Sequence, residues 1–344
     1  SLSTLKILQA PNFSEFRNFF KASLVKFFVV PADTFDNVKG KFPIGFFIWN
    51  TGIKEKFEEA ESDIYDSKGD FIGNKKFIDT SNEKSINDWL ITTRNRINET
   101  NLGFLSAKGN DFQNVNFIFI INNKSQLPHP RGTWVTDKNI IEVSIYVSVR
   151  HCIKATWLND RDQFVYPNDS WQTDKEFQND CLTFTLFNNS NNITSSEGTN
   201  HWIPFTEYEV NAQAKFESTF MTDFIKGKIK QEATTTDLFT NGVVSSSEVE
   251  NSQNKPLVFS EEATAVFDAG RALWHYYHAQ KDVNVNASLY DIRAHFQGRN
   301  DKGRMNSKSD DAAYMQIIGA LRESLKTLAE KIKPKVYDYG FLKP

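Results

Sequence analysis

Residues 38–51 read VKGKFPIGFFIWNT, and this stretch decides how the N-terminal part of the chain folds. The segment 44–49 is almost entirely apolar, which is typical of a strand buried in a sheet. Phe42 stands directly before it, and Pro43 restricts the backbone at that point. Two lysines precede the ring. Phe42 could cap the core that this strand enters, or its ring could be presented outside the core, oriented by the restricted backbone.

The segments around this strand predict a sheet. Apolar strand patterns occupy 2–8, 25–31 and 42–50, and an amphipathic helix is predicted at 13–23. This order of strand, helix, strand and strand is typical of the last part of an α/β sheet. A polar, glycine-containing turn inside 63–78 predicts a β-hairpin. The chain opens on a strand without an initiator methionine, and we therefore expect it to begin in the middle of a larger fold.

After residue 85 the pattern becomes more helical. Thr136 is predicted to cap the helix at 137–157, and Thr206 with Glu209 forms a capping-box pattern. LPHPRGTW at 127–134 is predicted to be a rigid loop because its two prolines restrict the backbone. The further elements predicted here are a strand at 115–121 and helices at 85–97, 174–188 and 206–228.

The last hundred residues predict a linker followed by packed helices. Residues 231–255 are polar and lack periodicity, which favours a linker or disordered loop. Helices are predicted at 260–280, 288–297 and 309–333, with N-caps at Ser260, Ser288 and Ser309. The first of these helices carries an apolar stripe that must pack on something, formed by Val266, Phe267, Leu273, Trp274 and Tyr277.

Together these elements predict an α+β, multi-domain chain. The expected regions are the end of an α/β sheet at 1–84, a mixed α/β region at 85–230, a linker at 231–256 and a helical region at 257–344. An aromatic content of 14% is ample for hydrophobic cores, and the net charge of -3 means that nucleic-acid binding must rest on local patches. The two cysteines favour a reducing cytoplasm, and no segment reaches the roughly 18–20 apolar residues that a membrane span needs.

Three side-chain pairs are candidates for chemistry, and each has a structural alternative. His275 and His278 could bind a metal or pack in the core. The neighbours His151 and Cys152 could form a nucleophilic pair, although adjacent helical residues point in different directions. Asp160 and Asp162 could hold a metal or act as acid and base. They could also contact a charged ligand, or only form hydrogen bonds with the backbone of their own loop. No phosphate loop, dinucleotide fingerprint, nucleophile elbow or paired-cysteine zinc motif occurs, so the sequence predicts neither a catalytic centre nor a metal site.

Basic and polar clusters are the candidates for contacts with DNA. Arginine and lysine hold phosphates, and arginine, asparagine and glutamine can read base edges. A solvated loop is the alternative at each cluster. The candidate DNA-binding residues are Lys39, Lys41, Arg94, Arg96, His129, Arg131, Arg161, Gln297, Arg299, Lys302 and Arg304.

Several segments together resemble one enzyme family. STLKILQAPNFSEFRNFF (3–20) and FFVVPADTFDNVKGKFPIGFFIWNT (27–51) are similar to the region downstream of the catalytic motif in bacterial N6-adenine DNA methyltransferases. The resemblance is to the subgroup of type II restriction-modification systems in which the cofactor fold comes first and target recognition last. It continues through NDWLITTRNR (87–96), LPHPRGTWVT (127–136), RHCIKATWLNDRDQFVYPND (150–169) and KVYDYGFLKP (335–344).

The resemblance implies methyl transfer from S-adenosylmethionine to adenine N6 in the full enzyme. The glycine-containing cofactor loop and the Asn-Pro-Pro-Tyr/Phe loop are both absent from these 344 residues. The chain alone is therefore expected to be inactive and to bind no cofactor. The resemblance assigns Phe42 to stacking against a flipped adenine, with Lys39 and Lys41 on neighbouring phosphates. Double-stranded DNA and the missing N-terminal catalytic half are the expected partners.

A different class of protein is the alternative. The chain could be a stand-alone DNA-specificity or interaction subunit that works with a separate catalytic chain. A fused nuclease is a third interpretation, but the sequence offers no convincing set of metal-binding carboxylates for it.

Overall fold

The computed structural model describes residues 1–94, 99–229 and 255–343. The strands are Leu2–Thr4 (β1), Ser23–Pro31 (β2), Pro43–Asn50 (β3), Glu59–Tyr65 (β4), Phe71–Ile78 (β5), Asn101–Ala107 (β6), Ile118–Ile121 (β7) and Gly132–Thr136 (β8). The α-helices are Lys6–Gln9 (α1), Ser14–Phe19 (α2), Ile86–Thr92 (α3), Ile140–His151 (α4), Lys175–Phe187 (α5), Phe220–Ile225 (α6), Glu261–His278 (α7), Leu289–Gln297 (α8) and Ala312–Asp338 (α9). The described residues are thus of mixed α+β class, as predicted.

The N-terminal sheet is mixed, with strand order β1-β3-β2-β4-β5. β1 and β2 both pair antiparallel with β3, so they run in the same direction, and α1 and α2 connect them. β4 pairs parallel with β2, and β5 returns antiparallel to β4 through the predicted hairpin. The predicted order of strand, helix, strand and strand is confirmed. The predicted first strand is too long, because the chain turns into α1 after Thr4.

One face of this sheet carries the smaller of two hydrophobic cores. Phe27 of β2 and Phe47 of β3 are paired in register and stack at 5.4 Å, and Phe77 of β5 packs edge-on against Phe27. Leu5, directly before α1, and Leu8, within it, pack against the same core. Burial of large apolar side chains provides the main driving force for such packing.

The rest of the chain encloses the larger core. β7, β6 and β8 form a three-stranded antiparallel sheet in that order. Buried side chains of α4, α5, α7 and α9 share one cluster with this sheet, for example Val147, Leu182, Leu273 and Leu328. The predicted regions 85–230 and 257–344 therefore contribute to the same core. The predicted linker at 231–255 lies almost wholly outside the described residues, and its nature stays a prediction.

Several predicted helix starts are confirmed. Ser85, Ser260 and Ser288 each accept a backbone N–H at the first turn of the following helix. Asp311, and not Ser309, caps α9, since its carboxylate accepts from the amide of Tyr314 at 2.9 Å. A carboxylate at this position also interacts favourably with the positive end of the helix dipole.

Other helix predictions are wrong. Thr136 ends β8 and does not cap α4, which begins after Asn139. The capping box of Thr206 and Glu209 forms, with a Thr206 N to Glu209 Oε2 distance of 2.8 Å, but no long helix follows. Asn211 has a φ of 54°, which is incompatible with a right-handed helix.

The predicted strand at 115–121 is shorter than expected. Its first residues form a 3-10 helix, Phe112–Phe117, because Asp111 caps it by accepting from the amide of Asn114. Among the helices of the described ranges, none combines the length and the apolar character that a membrane span needs.

Candidate nucleic-acid interface

Phe42 lies at the edge of the N-terminal sheet where three strands end. Pro43 begins β3 and pairs with Pro31, the last residue of β2. β1 and β4 run in the same direction as β2, so the carboxyl ends of all three lie at this edge. Phe42 therefore lies beside the carboxyl ends of three strands, in a mixed sheet in which β2 and β4 form the one parallel pair among the described strands.

The contacts of Phe42 fix its backbone and leave its side chain available. Its carbonyl accepts a hydrogen bond from the amide of Ala32 at 2.8 Å, and its ring is half-buried. The ammonium of Lys41 lies 3.2 Å from the carboxylate of Asp33, with 64% of the Lys41 side chain exposed. Lys39 is exposed. The structure thus has two exposed lysines in the three residues before Phe42, and one of them is paired with Asp33.

The face of this sheet opposite its core carries uncovered aromatic rings. Phe28 and Phe46 stack at 4.5 Å, and Tyr65 packs edge-on against Phe28 at 5.8 Å. Phe71 is 57% exposed and Ile48 is 61% exposed. Antiparallel sheets commonly leave one face to water, and within the described part of this sheet only β2 with β4 is a parallel pair. The exposure alone is therefore ordinary, but a run of large apolar side chains on it is a candidate contact surface.

The cluster 299–305 forms a small hairpin. Arg299 and Met305 are bridged antiparallel, and the amide of Gly303 donates to the carbonyl of Asn300 at 2.8 Å. Gly303 has a φ of 71°, a conformation that glycine adopts readily. The side-chain oxygen of Asn300 accepts the amides of Lys302 and Arg304 at 3.0 and 3.1 Å. The loop is thus ordered by its own backbone bonds.

The hairpin presents three predicted DNA-binding residues together. The guanidinium of Arg299 donates to the carbonyl of Gly303 at 3.0 Å and to the hydroxyl of Tyr290 at 2.8 Å. Lys302 and Arg304 are exposed. Within the part of the chain that the structure describes, neither forms an ion pair, so both charges are available to an anionic partner.

Two predicted DNA contacts are corrected by their burial. Arg161 is 8% exposed, and its Nε lies 3.2 Å from the carboxylate of Asp160. Gln297 is 5% exposed and accepts the hydroxyl of Tyr314 at 2.7 Å. Both side chains are occupied inside the fold and are not placed to touch DNA. Arg96 lies outside the described residues.

A cavity of about 550 Å³ opens on the outer face of β6 and β8. Trp134 of β8 is paired in register with Phe104 of β6, and their rings meet edge to face at 5.4 Å. The ammonium of Lys124 lies 5.7 Å from the centroid of the Trp134 ring. This distance permits a cation–π interaction.

Charged groups surround this cavity. Arg94 donates to the carbonyl of Gly132 at 2.8 Å and is otherwise exposed. One carboxylate oxygen of Glu99, Oε1, is buried and has no hydrogen-bond partner among the described residues. His129 and Arg131 are exposed on the loop that leads into β8. The structure therefore places three predicted residues at or beside this cavity.

Sequence reasoning missed Trp134, Lys124 and Glu99. The available signal was the alternation in Gly132–Thr136, where Thr133 and Val135 are buried and Trp134 points to the other face. A tryptophan on the face opposite the core of a strand is a candidate for ligand contact. The position of Lys124 and Glu99 beside it depends on the tertiary fold.

The other candidates for chemistry have structural partners. Burial raises the pKa of Cys152 to about 12 and lowers the pKa of His151 to about 4. Both groups are therefore neutral near pH 7, and no thiolate–imidazolium pair forms. Asp160 pairs with Arg161, and Asp162 pairs with Lys75.

The two histidines considered as a metal pair differ in burial. His278 is 5% exposed, while His275, three residues earlier on α7, is exposed. In the ranges that the structure covers, no three His, Cys, Asp or Glu side chains are grouped as a metal site requires.

Comparison of the chain with protein-family models, with curated proteins and with solved structures finds no match. The site is therefore interpreted from its geometry and from the motifs of the sequence.

Proposed function

We propose that this chain is the DNA-binding, target-recognition part of an adenine-specific DNA methyltransferase. The observation that carries the proposal is the position of Phe42 at the carboxyl edge of β1, β2 and β4, flanked by Lys39 and Lys41. A flipped base needs an aromatic face, and its phosphates need cations. S-adenosylmethionine belongs to the full enzyme, and the cofactor is held by residues outside this chain.

The uncovered aromatic face of the N-terminal sheet supports the need for a catalytic partner. Phe28, Phe46 and Phe71 would be shielded from water by a further layer of structure. A catalytic half that completes the sheet fits this requirement, whether it belongs to the same polypeptide or to a second one. The second case is the alternative function, a specificity subunit that acts with a separate catalytic chain.

The base-stacking role is tested by supplying a catalytic half with the cofactor and Asn-Pro-Pro-Tyr/Phe loops. Phe42→Ala should lower kcat/KM for methyl transfer by roughly 5- to 150-fold, because a lost base stack is worth about 1–3 kcal/mol. Phe42→Trp should retain most activity. Transfer of labelled methyl groups to duplex DNA measures the effect.

Phe19→Ala is the control, since that ring is 86% exposed and lies away from the strand ends. Equal activity of the Phe42→Ala variant and the unmodified chain would refute the stacking role. Absence of methyl transfer in every mixture would argue against the methyltransferase assignment itself.

DNA binding by the 299–305 hairpin is tested by removing its two free cations. Lys302→Gln with Arg304→Gln should reduce the slope of log K against log salt by about 2, because each lost phosphate contact contributes roughly 0.9. Arg299 is kept, since it bonds to Gly303 and Tyr290 within the fold. Fluorescence anisotropy of labelled duplex DNA at several salt concentrations gives the slope.

The matched control is Lys326→Gln with Lys333→Gln, which removes the same charge from exposed positions of α9. If both double variants change the slope equally, binding depends on net charge and the hairpin is not a DNA contact.

A further inference from the structure

We infer that the cavity beside Trp134 binds a single unpaired nucleotide, with its base stacked on the indole and its phosphate at the rim. The indole of Trp134 offers a flat face, and the edge of Phe104 supports it at 5.4 Å. Bases stack on such rings in single-stranded nucleic-acid sites. The ammonium of Lys124 covers the indole, but it is on an exposed, flexible side chain and can move aside at little cost.

The rim of the cavity suits a phosphate. Arg94 uses one guanidinium nitrogen on the carbonyl of Gly132 and keeps further N–H groups for a ligand. Lys124 lies on the same rim and would exchange its contact with the indole for the phosphate. The base would then stack on Trp134 while its phosphate meets both cations. An uncharged aromatic ligand would stack on Trp134 but would make no ion pair with Arg94 or Lys124.

The lining of the cavity limits how a nucleotide can be recognised. Glu99 also lines the cavity, but its Oε1 is buried and is not presented to a ligand. The base is therefore recognised by its face, and stacking on an aromatic ring tolerates every base. The cavity volume of about 550 Å³ is large enough for a nucleotide.

This site is separate from the features that carry the proposed function. Phe42 belongs to the N-terminal sheet and the 299–305 hairpin follows α8, whereas the cavity lies on β6 and β8. The nucleotide could be free in solution or an unstacked residue of DNA, and both sources present the same base, sugar and phosphate. The experiment distinguishes them.

The first measurement is calorimetric titration of the full chain with dAMP, dCMP and dTMP. We expect all three to bind, because stacking on an aromatic ring does not depend on the identity of the base. Trp134→Ala should weaken dAMP by roughly tenfold or more, and Trp134→Phe by less, because a ring remains.

Lys124→Gln provides a variant that cannot disturb the fold, because the side chain is exposed. It should weaken dAMP but leave deoxyadenosine, which lacks the phosphate, unchanged. Tyr208→Ala is the control aromatic substitution, since that ring is 96% exposed and far along the chain from the cavity. It should change neither affinity.

The second measurement compares a duplex carrying one bulged adenine with the same duplex fully paired. Preferential binding of the bulged duplex that depends on Trp134 would identify DNA as the source of the nucleotide. Binding of dAMP without such a preference would identify a free nucleotide.

The inference is overturned if dAMP fails to bind the folded chain, or if Trp134→Ala and Lys124→Gln leave its affinity unchanged. The variant with Lys302→Gln and Arg304→Gln should bind dAMP normally, so failure of the DNA-binding proposal and failure of this inference give different results.

Discussion

Arg150→Ala should lower the free energy of unfolding by roughly 3–5 kcal/mol, because it removes buried hydrogen bonds and leaves a cavity. Arg150 is 0% exposed in the larger core. Its guanidinium donates to the carbonyls of Gly109 and Asp111 at 3.0 and 2.8 Å, and to the hydroxyl of Tyr146 at 3.1 Å. The same group lies 4.8 Å from the ring centroid of Phe164.

A second variant is needed to separate the loss of hydrogen bonds from the relief of desolvation, because burying a guanidinium is itself unfavourable. Desolvation lowers the pKa of Arg150, and its Nε has no hydrogen-bond partner among the described residues. Arg150→Met keeps most of the volume and removes the buried charge, but it removes one donor from each of two carbonyls. Those of Gly109 and Asp111 keep only the longer bonds from the Asn87 side chain and the Asn114 amide, at 3.2 and 3.3 Å. We expect it to cost about half as much as the alanine variant.

Urea denaturation followed by circular dichroism measures both variants. Arg271→Ala is the control, since Arg271 forms a partly exposed ion pair with Asp268 and should cost less than about 1 kcal/mol. A methionine variant as stable as the unmodified chain would show that desolvation of the guanidinium outweighs its hydrogen bonds.

Gly132→Ala should also destabilise the fold, by roughly 3 kcal/mol or more, because it combines backbone strain with a steric clash. Gly132 has a φ of 150°, and an added Cβ would lie 1.8 Å from the carbonyl oxygen of Leu105. That oxygen belongs to the backbone of β6, so relief of the clash requires the pairing of β6 with β8 to shift. The cavity beside Trp134 would be distorted with it.

Gly198→Ala separates the cost of backbone strain from the cost of the steric clash. Gly198 has a φ of 136°, but no atom lies within 4 Å of the position of an added Cβ. It should therefore show only the cost of the backbone conformation, about 1–3 kcal/mol. Equal losses for the two variants would contradict the predicted clash, and thermal unfolding of both proteins provides the comparison.

Local patterns predict much of the fold correctly. The apolar periods place β2 and β3, the helices α4, α5 and α7, and the hairpin of β4 and β5. Two of the three predicted serine caps, Ser260 and Ser288, are also correct, because a cap depends on residues within one turn. Asp311 replaces the predicted Ser309. The helix after Thr206 is not predicted correctly, since the positive φ of Asn211 overrides the capping signal.

The sequence is less informative about which polar residues are available for binding. Arg161 and Gln297 belong to basic or polar clusters, yet both are buried by partners. Arg299, Lys302 and Arg304 come from the same kind of cluster and form an exposed hairpin. Composition alone does not show which of these polar side chains are exposed, because burial depends on how the whole chain packs.

The sequence by itself determined the mixed α+β class and the strand behind Phe42. Both depend on residues close together in the chain. Only the tertiary structure decided that Phe42 lies where three strands end, that one sheet face is uncovered, and that Trp134, Lys124 and Glu99 share a cavity. The physical reason is that strand pairing and side-chain packing join residues far apart in sequence, and no local periodicity records those contacts.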